Sequence, residues 1–253
     1  MPLVTTASIV LHAFDYSETS RILRLATRDA GVISVLARGA RRSTKRFGSS
    51  LDLFAEGVAQ VLVRDQRDLQ TLCSFDPTRS RPTLADDLGR FAGASTLAEL
   101  VLRFATDERH EALFDGLSRS LDELAIADSA TTSAVTLAGA WRLVGELGFA
   151  PSLESCSSCH AAVHLADALP FSHAAGGVLC AQCARLHPSG RTLPATERAR
   201  LGAWMADEPT APLSDLDSRA HQRLLREFLR EHLTQDRGLR AFEMCELAPW
   251  TAP

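Results

Sequence analysis

The period of the hydrophobic pattern changes once along the chain, near residue 80, and this change constrains the fold more than any single motif. Residues 4–76 contain five short runs, mostly rich in Val, Ile, Leu and Thr, and polar turns separate them. Such runs are typical of strands, and over residues 58–63 every second residue would face the same side. Five strands without an intervening helical pattern favour a small barrel, of which the five-stranded oligonucleotide-binding barrel (OB-fold) is one form.

Beyond residue 82 the apolar residues recur at intervals of three and four. This spacing predicts helices within residues 83–148, 195–206 and 215–234. Residues 150–190 interrupt it with Pro, Ser, His and four of the six cysteines. We therefore predict an α+β multidomain chain, with a barrel in residues 1–80 and a helical domain in residues 81–253 that carries an insertion at 150–190.

The insertion contains two C-x-x-C pairs separated by twenty residues. Their cysteines are Cys156, Cys159, Cys180 and Cys183. Two such pairs can place four thiolates tetrahedrally around Zn²⁺. Because the segment has too few apolar residues to form a core, a bound metal would take the place of one. The spacing predicts one structural zinc ion in a C4 zinc knuckle, with no open coordination position for catalysis.

Three other interpretations of the cysteines stay open. Cys156, Cys159 and His160 match the attachment motif of a c-type haem, although that motif leaves the second C-x-x-C pair unexplained. A thioredoxin-like redox pair would need a strand followed by a helix, a context that the pattern does not predict here. The third interpretation is a metal site that has lost its ion.

Charge is distributed unevenly between the two predicted domains. Residues 1–80 carry 11 basic and 8 acidic residues, a net charge of +3, although the whole chain has a net charge of −4. The basic residues lie on the second predicted strand, at the end of the third and in the predicted loop that follows it. They are Arg21, Arg24, Arg38, Arg41, Arg42, Lys45 and Arg46. This cluster predicts contacts with the phosphates of a nucleic acid, with Phe47 stacking on a base. The alternative is a solvated loop that Phe47 fixes to the barrel.

Catalytic and membrane-spanning functions find little support in the sequence. The chain contains no G-x-S-x-G, H-E-x-x-H or glycine-rich phosphate-binding motif. No apolar run approaches the roughly 20 residues that a membrane-spanning helix needs. The N-terminal residues lack the basic start and cleavage site of a signal peptide. We therefore expect a cytoplasmic, non-enzymatic protein that does not contact a membrane.

Two stretches of the N-terminal half resemble the bacterial RecO family. Residues 18–31 follow the pattern E-x-S-x-I-x-x-L-x-T-x-x-x-G, and residues 45–54 follow K-R-F-G-x-x-L-x-x-F. The order of a five-stranded barrel, a basic loop, a helical body and an inserted four-cysteine segment is similar to that family over nearly the whole chain. The basic loop departs from the family's frequent mixture of Lys and Arg, because it contains almost only Arg.

The resemblance implies a recombination mediator with an N-terminal OB-fold. Such a protein binds single- and double-stranded DNA, anneals complementary strands and assists the loading of RecA at gaps in recombinational repair. The implied partners are RecR and the C-terminal tail of single-strand-binding protein (SSB), and the implied location is the nucleoid. Two other classes stay open, a zinc-ribbon transcription or translation factor and an enzyme with a basic pocket. Residues 156–183 contain no Lys or Arg, which disfavours a phosphate-binding ribbon.

Overall fold

The computed structural model of the chain describes residues 2–41, 47, 51–64, 67–164, 166–186 and 191–232. The chain divides into two compact units, Met1–Ala127 and Asp128–Pro253. The predicted domain boundary after residue 80 marks the change from strands to helices. The first compact unit extends further, to residue 127, because it includes the helices that pack on the barrel.

Five strands of the first unit form a closed barrel, as the alternating pattern predicts. They are β1 (Leu3–Tyr16), β2 (Ser20–Thr27), β3 (Gly31–Ala37), β4 (Glu56–Leu62) and β5 (Leu69–Arg79). The order around the barrel is β1-β2-β3-β5-β4. Strand β4 pairs back with β1, and only the β3–β5 pair is parallel. This is the topology of a five-stranded OB-fold.

The barrel closes around an apolar core supplied by every second residue of its strands. Leu23, Leu25 and Val35 are fully buried in this core. A bulge between Val10 and His12 shifts the register of β1 against β2, and such bulges bend a strand enough to close a barrel. The side chains that alternate with the core residues on β1, β2 and β3 therefore form an outer face.

Three helices follow the barrel in the described part of the first unit. They are α1 (Thr83–Asp86), α2 (Leu88–Phe104) and α3 (Glu111–Ile126). Helix α2 contacts strands β1 and β2, and Arg28 in the β2–β3 turn forms ion pairs with Glu111 and Asp115 of α3. At the same turn, a Cβ on Gly31 would lie 2.3 Å from the carbonyl oxygen of Thr106, so only glycine allows this approach.

A buried arginine connects the barrel to helix α3. The Arg81 side chain is 2% exposed and donates hydrogen bonds to the carboxylates of Glu56 (2.8 Å) and Asp122 (2.7 Å). It also donates to the carbonyl oxygens of Phe54 (2.9 Å) and Ser118 (3.2 Å). Burial opposes ionisation of Glu56, but hydrogen bonds from Ser118 and Arg81 outweigh it and lower the pKa of this carboxyl.

The second unit combines helices with a small three-stranded sheet. Its helices are α4 (Thr132–Val144), α5 (Ala181–Leu186), α6 (Ala195–Met205) and α7 (Asp215–His232). Its strands are β6 (Leu169–Ser172), β7 (Gly177–Val178) and β8 (Arg191–Leu193), in the antiparallel order β7-β6-β8. Helix α4 continues into a π-helical turn that ends beyond Gly148, whose φ of +89° favours glycine. Trp141 and Phe228 meet in the core with ring centroids 5.2 Å apart.

The periodicity predicts the positions of α6 and α7, and residues 233–234 of the second predicted range lie outside the described residues. Leu225, Phe228 and Leu229 of α7 are buried, whereas Leu216 in its first turn is 78% exposed. Among the described residues, no helix has the length and apolar character needed to cross a membrane.

Candidate metal centre and nucleic-acid interface

The structure brings the four predicted cysteines of the second unit together. Their sulfur atoms all lie within 4.8 Å of one another, and the Sγ atoms of Cys159 and Cys180 are 3.8 Å apart. A tetrahedral metal with metal–sulfur bonds of about 2.3 Å requires sulfur–sulfur distances of about 3.8 Å. The cluster therefore has the size and the ligand set of a four-thiolate metal site.

Backbone hydrogen bonds shape the turn of each C-x-x-C pair. In the first pair, the His160 N–H donates to the carbonyl oxygen of Cys156 (2.8 Å), and His160 has a φ of +60°. In the second pair, the Cys183 N–H donates to the sulfur of Cys180 (3.5 Å). Such N–H···S contacts orient thiolate ligands and stabilise their charge.

A glycine allows the two halves of the site to approach each other. The N–H of Val178 donates to the carbonyl oxygen of Ser152 (2.9 Å), and the Ser157 N–H donates to that of Val178 (2.9 Å). A Cβ on Gly177 would lie 2.3 Å from the Ser152 carbonyl oxygen, so a larger residue would separate these segments.

The close sulfur atoms of the cluster shift the pKa values of Cys156 and Cys183 in opposite directions. Burial opposes ionisation of Cys156, but N–H donors that include those of Cys180 and Cys159 lower its pKa to about 6. The Ser158 side chain lowers the pKa of Cys183, but hydrogen bonds with the three other cysteine sulfurs, together with burial, raise it to about 12. A divalent cation would remove this conflict by neutralising the thiolates. Because four sulfurs converge, the site matches a metal centre better than an isolated redox pair or a haem attachment pair.

Seven basic residues of the first unit are predicted to contact a nucleic acid, and the structure describes four of them. Arg21 and Arg41 both approach the carboxylate of Asp15, at 3.1 and 3.7 Å. Arg41 also donates its N–H to the carbonyl oxygen of Thr19, next to the turn between β1 and β2. These two arginines therefore share one acidic partner.

Arg24 and Arg38 have no acidic partner among the described residues. Arg24 lies on the outer face, opposite His12 of β1 and Ser34 of β3, and its Nε atom is buried without a hydrogen-bond partner. Arg38 is exposed and follows the last residue of β3. Their positive charges are available to an anionic ligand at this end of the barrel.

Phe47 does not have the exposed position that base stacking requires. Its side chain is 1% exposed and lies in the barrel core with Val10, Leu23 and Phe75. A ring with no solvent-accessible face cannot stack on a base, so we correct this predicted contact and assign Phe47 to the core. Arg42, Lys45 and Arg46, also predicted to contact phosphates, lie outside the described residues.

An OB-fold followed by a helical region with an inserted cluster of four cysteines defines the structural class of this protein. Two family profiles match the chain, "Recombination protein O N terminal" over residues 1–81 and "Recombination protein O C terminal" over residues 85–241. The chain therefore belongs to the RecO family, as the sequence resemblance predicts. Family membership supports a role in DNA repair.

Curated relatives align with nearly the full length of the chain. A protein named DNA repair protein RecO from Anaeromyxobacter sp. (strain K) is 36% identical over 98% of both chains. Its namesake from Gloeobacter violaceus is 31% identical over 94% of this chain and 91% of its own. A third, from Rubrobacter xylanophilus, is 29% identical over 92% of each chain.

Proposed function

We propose that this protein is a non-enzymatic recombination mediator in the nucleoid of the cytoplasm. In this proposal it binds single- and double-stranded DNA, anneals complementary strands and assists RecA loading on SSB-coated DNA, together with RecR and the SSB C-terminal tail. The observation that carries the proposal is a closed OB barrel, in a member of the RecO family, with two arginines that lack acidic partners among the described residues.

The proposed DNA contact rests on the charges of the barrel surface. Arg24 and Arg38 can meet phosphates without first leaving a carboxylate, whereas Arg21 and Arg41 must be shared with Asp15. Phosphate contacts carry no sequence information, so binding should depend on salt and hardly at all on base sequence.

The four-cysteine cluster is proposed to hold one structural Zn²⁺ ion. Four sulfur ligands complete a tetrahedral shell and leave no position for a reactive water. The site therefore stabilises its segment and takes no part in chemistry. Because residues 156–183 contain neither Lys nor Arg, the cluster is also poorly suited to contact phosphates directly. This argues against the alternative of a zinc-ribbon transcription or translation factor.

The test is annealing of complementary oligonucleotides, naked and SSB-coated, by the full-length protein. We expect annealing in both cases, and an Arg24→Gln/Arg38→Gln variant should anneal more slowly. For this variant the slope of log K against log salt should fall in magnitude by about 1.4 to 1.8, as expected when two phosphate contacts are lost.

The matched control is Arg28→Gln/Arg109→Gln, which removes the same charge from arginines that are already paired with acids. It should leave the salt slope unchanged. A wild-type protein that binds DNA but never anneals it would contradict the mediator function and favour a simple DNA-binding module.

A further inference from the structure

The outer face of β1 and β2 changes from buried to exposed along its length. Ile9 and its cross-strand partner Ala26 are 0% and 4% exposed in the part of the strands that lies nearer the helices. Beyond the bulge, two aromatic side chains on the same face stand in solvent, with Phe14 45% and Tyr16 52% exposed. Contiguous exposed apolar side chains on a folded domain mark an interaction surface.

The cross-strand register arranges this surface in rows. Phe14 lies opposite Ile22 of β2, which in turn lies opposite Leu36 of β3. The adjacent row places His12 opposite Arg24, and the rings of His12 and Phe14 are 5.7 Å apart. The result is a strip of three rings, His12, Phe14 and Tyr16, along one strand, with apolar side chains beside it.

We propose that His12, Phe14 and Tyr16 form a platform on which unpaired bases of single-stranded DNA stack. This inference rests on the proposed DNA-binding function and identifies the residues by which the barrel would prefer single strands to duplex. It gives the stacking role to β1, on the outer face of the barrel, because Phe47 is buried in the core.

The charges around the strip favour a nucleic acid over an apolar protein segment. Arg24 lies in the His12 row, and Arg38 follows Ala37, the partner of Arg21 in the β2–β3 pairing. Both could contact the phosphates of a strand whose bases stack on the rings. Asp15, which lies between Phe14 and Tyr16 in sequence, pairs with Arg21 and so points to the opposite side of the β1–β2 pair. Its negative charge is therefore kept off the aromatic strip.

The first experiment compares Phe14→Ala/Tyr16→Ala with Phe14→Leu/Tyr16→Leu in binding to an oligothymidine and to a duplex. We expect each lost ring to weaken single-strand binding by about 5- to 150-fold. Duplex binding should change little, and leucine should not rescue the loss, since it restores apolar area without a π-face. Leu3→Ala is the matched control, because it truncates another exposed apolar residue of β1 and should have no effect.

The second experiment uses the fact that Tyr16 is the only tyrosine of the chain. Protein grown with 3-fluorotyrosine has a single ¹⁹F resonance, which should shift on addition of the oligothymidine and much less on addition of duplex. Wild-type protein that binds no DNA would refute the proposed function itself. DNA binding with an unmoved resonance and unaffected alanine variants would overturn only the stacking platform. A resonance that shifts with protein concentration alone would assign the strip to a second copy of the chain and also overturn it.

Discussion

The barrel and the four-cysteine segment keep their structures by different means. The barrel core contains eleven buried residues, and its strands form a ring in which each strand pairs with two others. The described part of the cluster around the cysteines has three buried members, Cys156, Leu179 and Cys183, and two of these are proposed metal ligands. The comparison teaches that the barrel can expose charged and aromatic groups at no cost to its core, whereas the segment depends on its ligands.

Loss of the metal should give the largest effect on folding, and it should affect the four-cysteine segment but not the barrel. Cys156→Ser should abolish the one-to-one zinc content and unfold residues 150–190, because binding energy of about 10 to 16 kcal/mol for structural zinc is also folding energy. Metal analysis and limited proteolysis measure the two losses. Cys73→Ser, which changes a barrel cysteine, is the control and should keep the metal. An ordered segment in metal-free protein would contradict the account.

Removal of the buried arginine should weaken the first unit by an intermediate amount. Arg81→Met leaves Glu56 and Asp122 without their buried partner, which should cost about 3 to 5 kcal/mol. Urea unfolding, followed by the fluorotyrosine at position 16, measures the change in the free energy of unfolding. Arg79→Gln changes a half-exposed arginine near the same acids and should cost no more than about 1 kcal/mol. Equal costs for the two variants would show that the buried network does not stabilise the unit.

Mild acid should lower the free energy of unfolding by a smaller amount, and it should do so in the second unit. Burial lowers the pKa of His173 and of His221, both in the second unit, below the ordinary value of 6.5. Below pH 6.5 the unfolded chain therefore binds protons that the folded chain does not, and the free energy of unfolding should fall between pH 7.5 and 5.5. All three tryptophans lie beyond residue 127, so tryptophan fluorescence reports this unit.

In the first unit, the carboxyl of Glu56 should not respond to pH over the same range. Its pKa is lowered from the ordinary 4.5, so the stability that this carboxylate contributes is lost only as the pH falls under that value. Equal loss of stability in both units between pH 7.5 and 5.5 would contradict the assignment of the buried histidines.

Local patterns predicted the barrel and the cluster of four cysteines because each depends on short-range spacing. Alternation gives the strands, and two C-x-x-C pairs give the ligands whose sulfurs meet in the structure. The orientation of single side chains depends on register and on tertiary burial, which spacing does not encode. Phe47 was therefore wrongly placed on the surface, although the alternative of a ring fixed to the barrel was available from the sequence.

Two features could not be found from the sequence by the same reasoning. The exposed aromatic strip depends on a bulge after Val10, which determines that Phe14 and Tyr16 share the outer face with Arg24. Arg81 is one charged residue next to Pro82 in the sequence, and its burial depends on acids that lie 25 and 41 residues away. A possible signal was the unusual concentration of aromatic residues at the end of β1, where His, Phe and Tyr alternate.

The central claim is that the barrel binds DNA and the four-cysteine segment supports structure only. The most direct test is the affinity of metal-free Cys156→Ser protein for single-stranded oligothymidine, measured beside wild type at the same salt concentration. The account predicts an affinity within about threefold of wild type, since the lost segment has no basic residue to release counterions. This prediction would be contradicted if DNA binding were lost together with the metal while the fluorotyrosine signal showed that the barrel was still folded.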